Sequence, residues 1–257
     1  MKGALKAMIA GIIIIAIGAA VLIGTLAFNG WSFKRPEFEM LEYSEYSGDT
    51  IDIDLDAGTV KTQFYDGDKV IISYPSSSVY NHEIEVEGGT LKFKSNLKLF
   101  HPIGLDIPDT VISLPSGSIY NLDIEVSAGS SSVASGTYGN LQINVDAGSV
   151  TADSIECARL SLDVDAGSIE IKSAVCPSFF CDLNMGSINI KKLTCDSADV
   201  KVNMGENLLS FTGAKEEYNI TADVAMGSCN VSSQNGTTQK RLNLKVDMGT
   251  LNVDFGA

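Results

Sequence analysis

The chain is poor in the side chains that carry most enzyme chemistry. Its 257 residues include two histidines, His82 and His101, and only three arginines, Arg35, Arg159 and Arg241, well separated. Neither histidine neighbours a nucleophile motif such as G-x-S-x-G, so nothing marks an acyl-transfer site. Aromatic residues make up 7% of the chain, and few stand on the repeated faces described below, where rings would be needed to stack against sugars. A carbohydrate-active enzyme, lyase or hydrolase, is therefore the secondary reading of function, with Asp163 and Asp165 as its paired acids. Five cysteines, an odd number with no C-x-x-C spacing, give neither a disulfide framework nor a zinc pattern. No phosphate-binding glycine loop occurs, and no cofactor is indicated.

Acid is missing from the start of the chain, where the first carboxylate is Glu37. In its place Met8–Phe28 forms a nearly unbroken apolar run, "MIAGIIIIAIGAAVLIGTLAF". About 20 apolar residues suffice for a helix to cross the hydrocarbon core. Residues 8–28 are accordingly read as a transmembrane anchor after a short tail, residues 1–7, with Phe28, Trp31 and Phe33 at the interface. A cleaved signal peptide is the rival reading, but its apolar region usually runs to only about 7–15 residues. Lys2, Lys6 and the α-amino group before the span, against Lys34 and Arg35 after it, favour an internal N-terminus by a small margin. The expectation is a single-pass cell-membrane protein with an extracellular C-terminal domain. All 32 acids follow the span against 16 bases, Lys2 and Lys6 being set aside, so that part carries a net charge of −16. Such a surface is repelled by nucleic acid and by anionic lipid.

What the sequence has in quantity is glycine, at regular intervals. Gly129, Gly148, Gly167, Gly186 and Gly205 are each 19 residues apart, and Gly227 and Gly249 follow at intervals of 22. Taking the glycine as zero, position −5 holds Ile124, Ile143, Leu162, Cys181, Val200, Ala222 and Leu244. Position −3 is Val or Leu throughout, and −1 is Ala or Met. This is a strand alternation with one apolar face. After the glycine the apolar residues move to +2 and +4, as in Ile169 and Ile171. A bend at the glycine restores the phase, and glycine tolerates the positive φ that such a bend often needs.

A unit of 19 residues cannot bury its own apolar face, whereas stacked units bury one continuous core. The fold expected is all-β, a single-stranded parallel β-solenoid of 19–22-residue coils after one N-terminal transmembrane helix. Residues 29–47 read as linker and cap, and 48–257 as the solenoid. Within it 48–120 are irregular coils, with corners at Gly58 and Gly89, and 121–257 are regular. The prolines at 102, 108 and 115 exclude one regular central strand across that stretch.

Stacking places acids in outward columns. Position −2 reads Asp146, Asp165, Asn184, Asn203, and position −4 reads Asn144, Asp163, Asp182, Lys201, Asp223. Asp146, Asp163, Asp165 and Asp182 are the candidates for bridging a cation, against the plainer reading of a solvated acidic face. "IDIDLDAGT" imitates the start of a calcium loop, yet its acids alternate with Ile51, Ile53 and Leu55 and lack the closing Glu. Cys157, Cys176 and Cys195 share one column, as buried reduced thiols or with one pair bridged. Met185, Met204, Met226 and Met248 are expected to fill the core. The last coil, "VDMGTLNVDFGA", has no following cap, so its open edge is expected to dock a partner or a second copy.

The anchor, the segment "VISLPSGSIYNLDIEVSAGS" and the string of DAGS, NMGS and DMGT corners resemble the bacterial putative-adhesin family, similar to LiaG-like membrane proteins. The resemblance covers roughly residues 47–257. It implies a β-solenoid at the cell envelope, associated with adhesion or envelope stress, and brings no catalytic residues with it. The partner implied is a protein or an envelope polymer.

Overall fold

The computed structural model describes residues 36–98 and 106–256. The expected anchor, residues 8–28, lies outside the described residues, as does His101. Among the described residues no helix is long and apolar enough to cross a membrane.

The structure is all-β, and the described residues form eighteen strands in one sheet. The first six are β1 (Glu39–Tyr46), β2 (Thr50–Tyr65), β3 (Val70–Ser76), β4 (Tyr80–Glu87), β5 (Thr90–Leu97) and β6 (Thr110–Pro115). Then come β7 (Tyr120–Val133), β8 (Gly136–Val145), β9 (Ser149–Val164), β10 (Ser168–Val175), β11 (Ser178–Leu183) and β12 (Ser187–Thr194). The last six are β13 (Ser197–Val202), β14 (Glu206–Phe211), β15 (Tyr218–Val224), β16 (Ser228–Cys229), β17 (Lys240–Val246) and β18 (Thr250–Phe255).

From β7 onward the named strands pair in parallel, and the 19-residue spacing is the register. Leu162 pairs with Cys181 and Cys181 with Val200, while Ile169 pairs with Ile188. The strand residues at −5, −3, +2 and +4 are buried in most coils, so the alternation places the core as expected. Two polar residues stand buried at +2, Ser131 and Asn207, and Asn207 is the larger. Asn207 is fully buried between Ile188 and Leu251, its Nδ2 donates to Cys181 Sγ at 3.1 Å, and its Oδ1 has no partner. An unsatisfied buried carbonyl costs about 1–3 kcal/mol. Asn207→Val should therefore stabilise the protein by about 1–2 kcal/mol, read as a melting temperature higher by roughly 2–4 °C per kcal/mol. A lower melting temperature would refute it.

Four expectations need correction. The methionines do not fill the core. Met185, Met204, Met226 and Met248 are 60%, 53%, 78% and 53% exposed, because the strand stops at −3 and the chain turns through −2, −1 and the glycine. Position −1 therefore never receives the inward phase. The reason for glycine at zero is also different. None of the seven corner glycines from Gly129 to Gly249 takes a positive φ. Each lies against the backbone of the neighbouring corner glycine, and a Cβ on Gly148 or Gly167 would stand 2.5 Å from the carbonyl oxygen of the preceding one. Close approach, not the left-handed region, excludes a side chain there.

Gly89 is not a coil corner. Gly88 and Gly89, both with positive φ, form the two-residue turn of an antiparallel hairpin between β4 and β5. β3 also runs antiparallel to β1 and to β6, so this end of the sheet is not a purely parallel stack. The last correction concerns order. β17 lies between β13 and β15, and β18 between β14 and β16. The C-terminal coil is inserted one place in from the end, and Val253 is only 2% exposed. The outermost coil is that of β15 and β16. Along β15 its backbone edge is covered by the chain's own loop. Ile220 and Gln234 exchange two backbone hydrogen bonds at 2.9 Å, and Ser233 Oγ accepts from Ala222 N and donates to Ala222 O. A covered edge does not offer itself as a template.

Candidate functional site

The outward residues of one ladder, running from β5 through β2, β7, β8, β9, β11, β13 and β17 to β15, make a polar face on which acids outnumber lysines. Because these strands alternate in–out, positions −6 and −4 point to solvent in every coil. Pairing aligns Asp54, Glu125, Asn144, Asp163, Asp182 and Lys201 in a single row. The row continues to Lys245 and Asp223. Like charges at ladder spacing repel, and the structure relieves them locally. Lys201 Nζ lies 3.0 Å from Asp182 Oδ2, and Lys94 pairs with Asp54 at the far end. In the adjoining −2 row Asn184 Nδ2 donates to Asp165 Oδ1 at 2.6 Å, and Asn203 Nδ2 donates to Asn184 Oδ1.

The four candidate aspartates do come together. Asp146, Asp163, Asp165 and Asp182 line one hollow of about 230 Å³, with Lys201 at its rim. Burial, then Asp182 and Asp165, raise the carboxyl pKa of Asp163, while Lys201 opposes them. Asp123 is raised by burial and then by Asp52 and Glu125. Glu125 is raised by burial and then by Asp54 and Asp146. Among the described residues, however, no group of three or more His, Cys, Asp or Glu is arranged to hold a metal ion. The cations placed against this row are the ammonium groups of Lys201 and Lys94. The hollow holds no arginine and no histidine to complete a glycosidase-like set.

A neighbouring hollow of about 280 Å³ was not legible from the spacing. Phe180, 38% exposed, sits in it with Asp199, Lys201, Asn243 and Lys245. Asn243 and Lys245 belong to β17, 44 residues from Asp199 and Lys201 in sequence, and reach them only through the inserted coil. The signal available was the exposed phase of Phe180 at −6, an aromatic ring on an otherwise polar face.

The remaining chemistry-bearing residues are structural. Cys157, Cys176, Cys181 and Cys195 are buried and free, and Cys229 is free and partly exposed. Burial pushes the Cys181 and Cys195 thiols up to about 12, which removes them from nucleophilic chemistry. His82 stacks on Phe93 at 5.1 Å and meets Tyr80 edge-on at 4.6 Å. Neither ring nitrogen has a hydrogen-bond partner, and burial lowers its pKa to about 4. The folded state thus holds His82 neutral while the unfolded chain takes up its proton near pH 6.5. The contribution is fully present above about pH 6.5 and is lost as pH falls to about 4. Discounted for partial exposure, the loss should be about 2 kcal/mol. Comparing unfolding of the native chain and His82→Phe at pH 7.5 and pH 4.5 isolates it, and an unchanged difference would refute it.

A family model described as Toastrack DUF4097 matches residues 49–256. Among solved structures, the chain is similar to a "putative adhesin" from Parabacteroides merdae, with a TM-score of 0.53 and 15% identity, over 84% of this chain and 96% of that one. It is also similar to a "putative adhesin" from Bacteroides fragilis, with a TM-score of 0.49 and 12% identity, over 84% and 97% of the two chains. No curated protein matches the chain. At these identities the likeness is one of fold.

Proposed function

The chain belongs to the Toastrack DUF4097 family, and from that membership we propose a non-enzymatic, membrane-anchored envelope protein whose stacked coils form a β-solenoid scaffold for adhesion or envelope-stress-associated interactions. In this reading residues 8–28 are the anchor, the domain stands outside the cell, and the ladder face that carries the carboxylate row is the recognition surface. The observation that carries it is the aligned row Asp54, Glu125, Asn144, Asp163 and Asp182, four carboxylates on five strands with a lysine at each end. Burial first, and then the neighbouring carboxylates, hold Glu125 and Asp163 above their ordinary pKa, so a cationic partner gains by relieving the repulsion. The partner class is a basic protein or a cationic envelope polymer.

Two measurements test the two halves of this reading. The full chain should resist carbonate extraction from membranes, and its folded part should be shaved by protease from intact cells. Recovery in the soluble fraction would end the anchored reading. A cationic polymer such as polylysine should bind the full chain and be released by about 0.5 M salt, where the screening length falls to a few ångströms. Replacing Asp163 and Glu125 together by Asn and Gln should weaken that binding, and unchanged binding would move recognition off this face.

A further inference from the structure

The four corner methionines form one continuous exposed row. Each backbone N–H donates to the −2 carbonyl of the neighbouring coil. Met185 donates to Asp165 at 2.8 Å, and Met204 to Asn184, Met248 to Asn203 and Met226 to Asp247 at 2.7 Å. The spatial order is therefore Met185, Met204, Met248, Met226, with adjacent Cα atoms one ladder step, about 4.8 Å, apart. Burial does not account for these side chains. They are more than half exposed, and the equivalent places in earlier coils, Ala147 and Ala166, show that alanine serves the corner. A protein-docking role does not suit the row either. It is one residue wide and roughly 14 Å long, three ladder steps, and is flanked by Ser187, Glu206, Ser228 and Thr250 at +1. A stable interface needs about 800 Å² on each partner.

What a row of thioethers does suit is a soft cation. A metal–sulfur bond is roughly 2.3 Å, so two sulfurs on one ion stand up to about 4.6 Å apart, the ladder spacing. Methionine has three rotatable bonds, which let the outer two of three consecutive side chains lean toward the middle one. Neutral thioethers select Cu(I) over calcium or magnesium, and Asp165 and Asp247, in the flanking −2 row, supply negative charge. We propose that Met185, Met204 and Met248, with Met226 at the end of the row, form a surface site for a soft monovalent cation, Cu(I), bound by three consecutive thioethers.

The test uses the full-length chain in detergent with ¹³C-methyl methionine, in a Cys229→Ser background that removes the partly exposed thiol. It is titrated with Ag(I), a redox-inert soft probe, and with Cu(I) kept reduced. The resonances of the row should move together at about one equivalent, with Met1, Met8 and Met40 unmoved and Zn(II) without effect. Met248→Leu leaves only two contiguous thioethers and should weaken binding at least tenfold, since even an outer partner of a metal ligand is worth about 10–100-fold. Met226→Leu leaves three and should change it less than about threefold. Leucine keeps the volume at an exposed position, so folding is not at risk. Unmoved row methyls, equal response to Zn(II), or equal effects of the two variants would each overturn the proposal.

Discussion

Gly186→Ala should destabilise the protein by about 3 kcal/mol or more, the upper end for overpacking a filled interior. The added methyl would strike the Gly167 carbonyl and stand 2.8 Å from Val164 Cγ1 and 2.9 Å from Gly167 C. None of these atoms is the free end of a flexible chain. Gly167 and Gly205 belong to the same stack, so a shift at Gly186 is passed along it. Gly117 is the control. A Cβ there meets nothing within 4 Å, and Gly117→Ala should stay within about 0.5 kcal/mol, as for surface changes generally. The measurement is urea unfolding of both variants, and a Gly186→Ala protein as stable as Gly117→Ala would remove close packing as the reason for the glycine column.

That reason was only half visible in the sequence. The period of 19 and the buried residues at −5, −3, +2 and +4 followed from alternation alone, since Leu162, Val164, Ile169 and Ile171 allow no other face. The corner itself did not. Continuing the alternation to −1 turned Met185 inward, whereas backbone bonds from Asn184 and Met185 to the previous coil begin the turn at −2. Gly88-Gly89 is a different failure. Its flanks, "IEVE" and "TLKF", read equally as a corner unit or as hairpin arms, and a two-glycine turn is itself a hairpin signal. Register between consecutive coils was legible because the repeats are alike. For the same reason the order of coils was not: the DMGT corner of the last coil fits against Gly205 as well as it would fit beyond Gly227. Lys245 beside Lys201, and the hollow around Phe180, follow from that order and so lay beyond the reach of spacing.

Truncation after Gln239 should release two coils rather than one. In a stack built in chain order, removing the last coil in sequence removes the outermost coil and leaves the rest protected, because each unit depends only on its neighbours. Here Lys240–Phe255 is an interior coil. It buries Leu242, Leu244, Val246, Leu251 and Val253, at about 1.5–3 kcal/mol each, roughly 10 kcal/mol in all and comparable with the whole stability of a typical domain. β15 has β17 as its strand partner and β16 has β18, so both lose their support together. What remains to hold Tyr218–Cys229 is the pair of bonds between Ile220 and Gln234, the Ser233 contacts, the loop bonds at Tyr218 and Asn219, and the Tyr218 hydroxyl on Cys195 O, too few to offset the ordering of those residues at about 1–2 kcal/mol apiece. Amide hydrogen exchange on the truncated chain should show residues 218–229 at unprotected rates and residues 120–194 unchanged. Protection retained at 218–229 would mean that β15 and β16 can close directly onto β13 and β14, and the inserted coil would then be a choice of the sequence rather than a requirement of the stack.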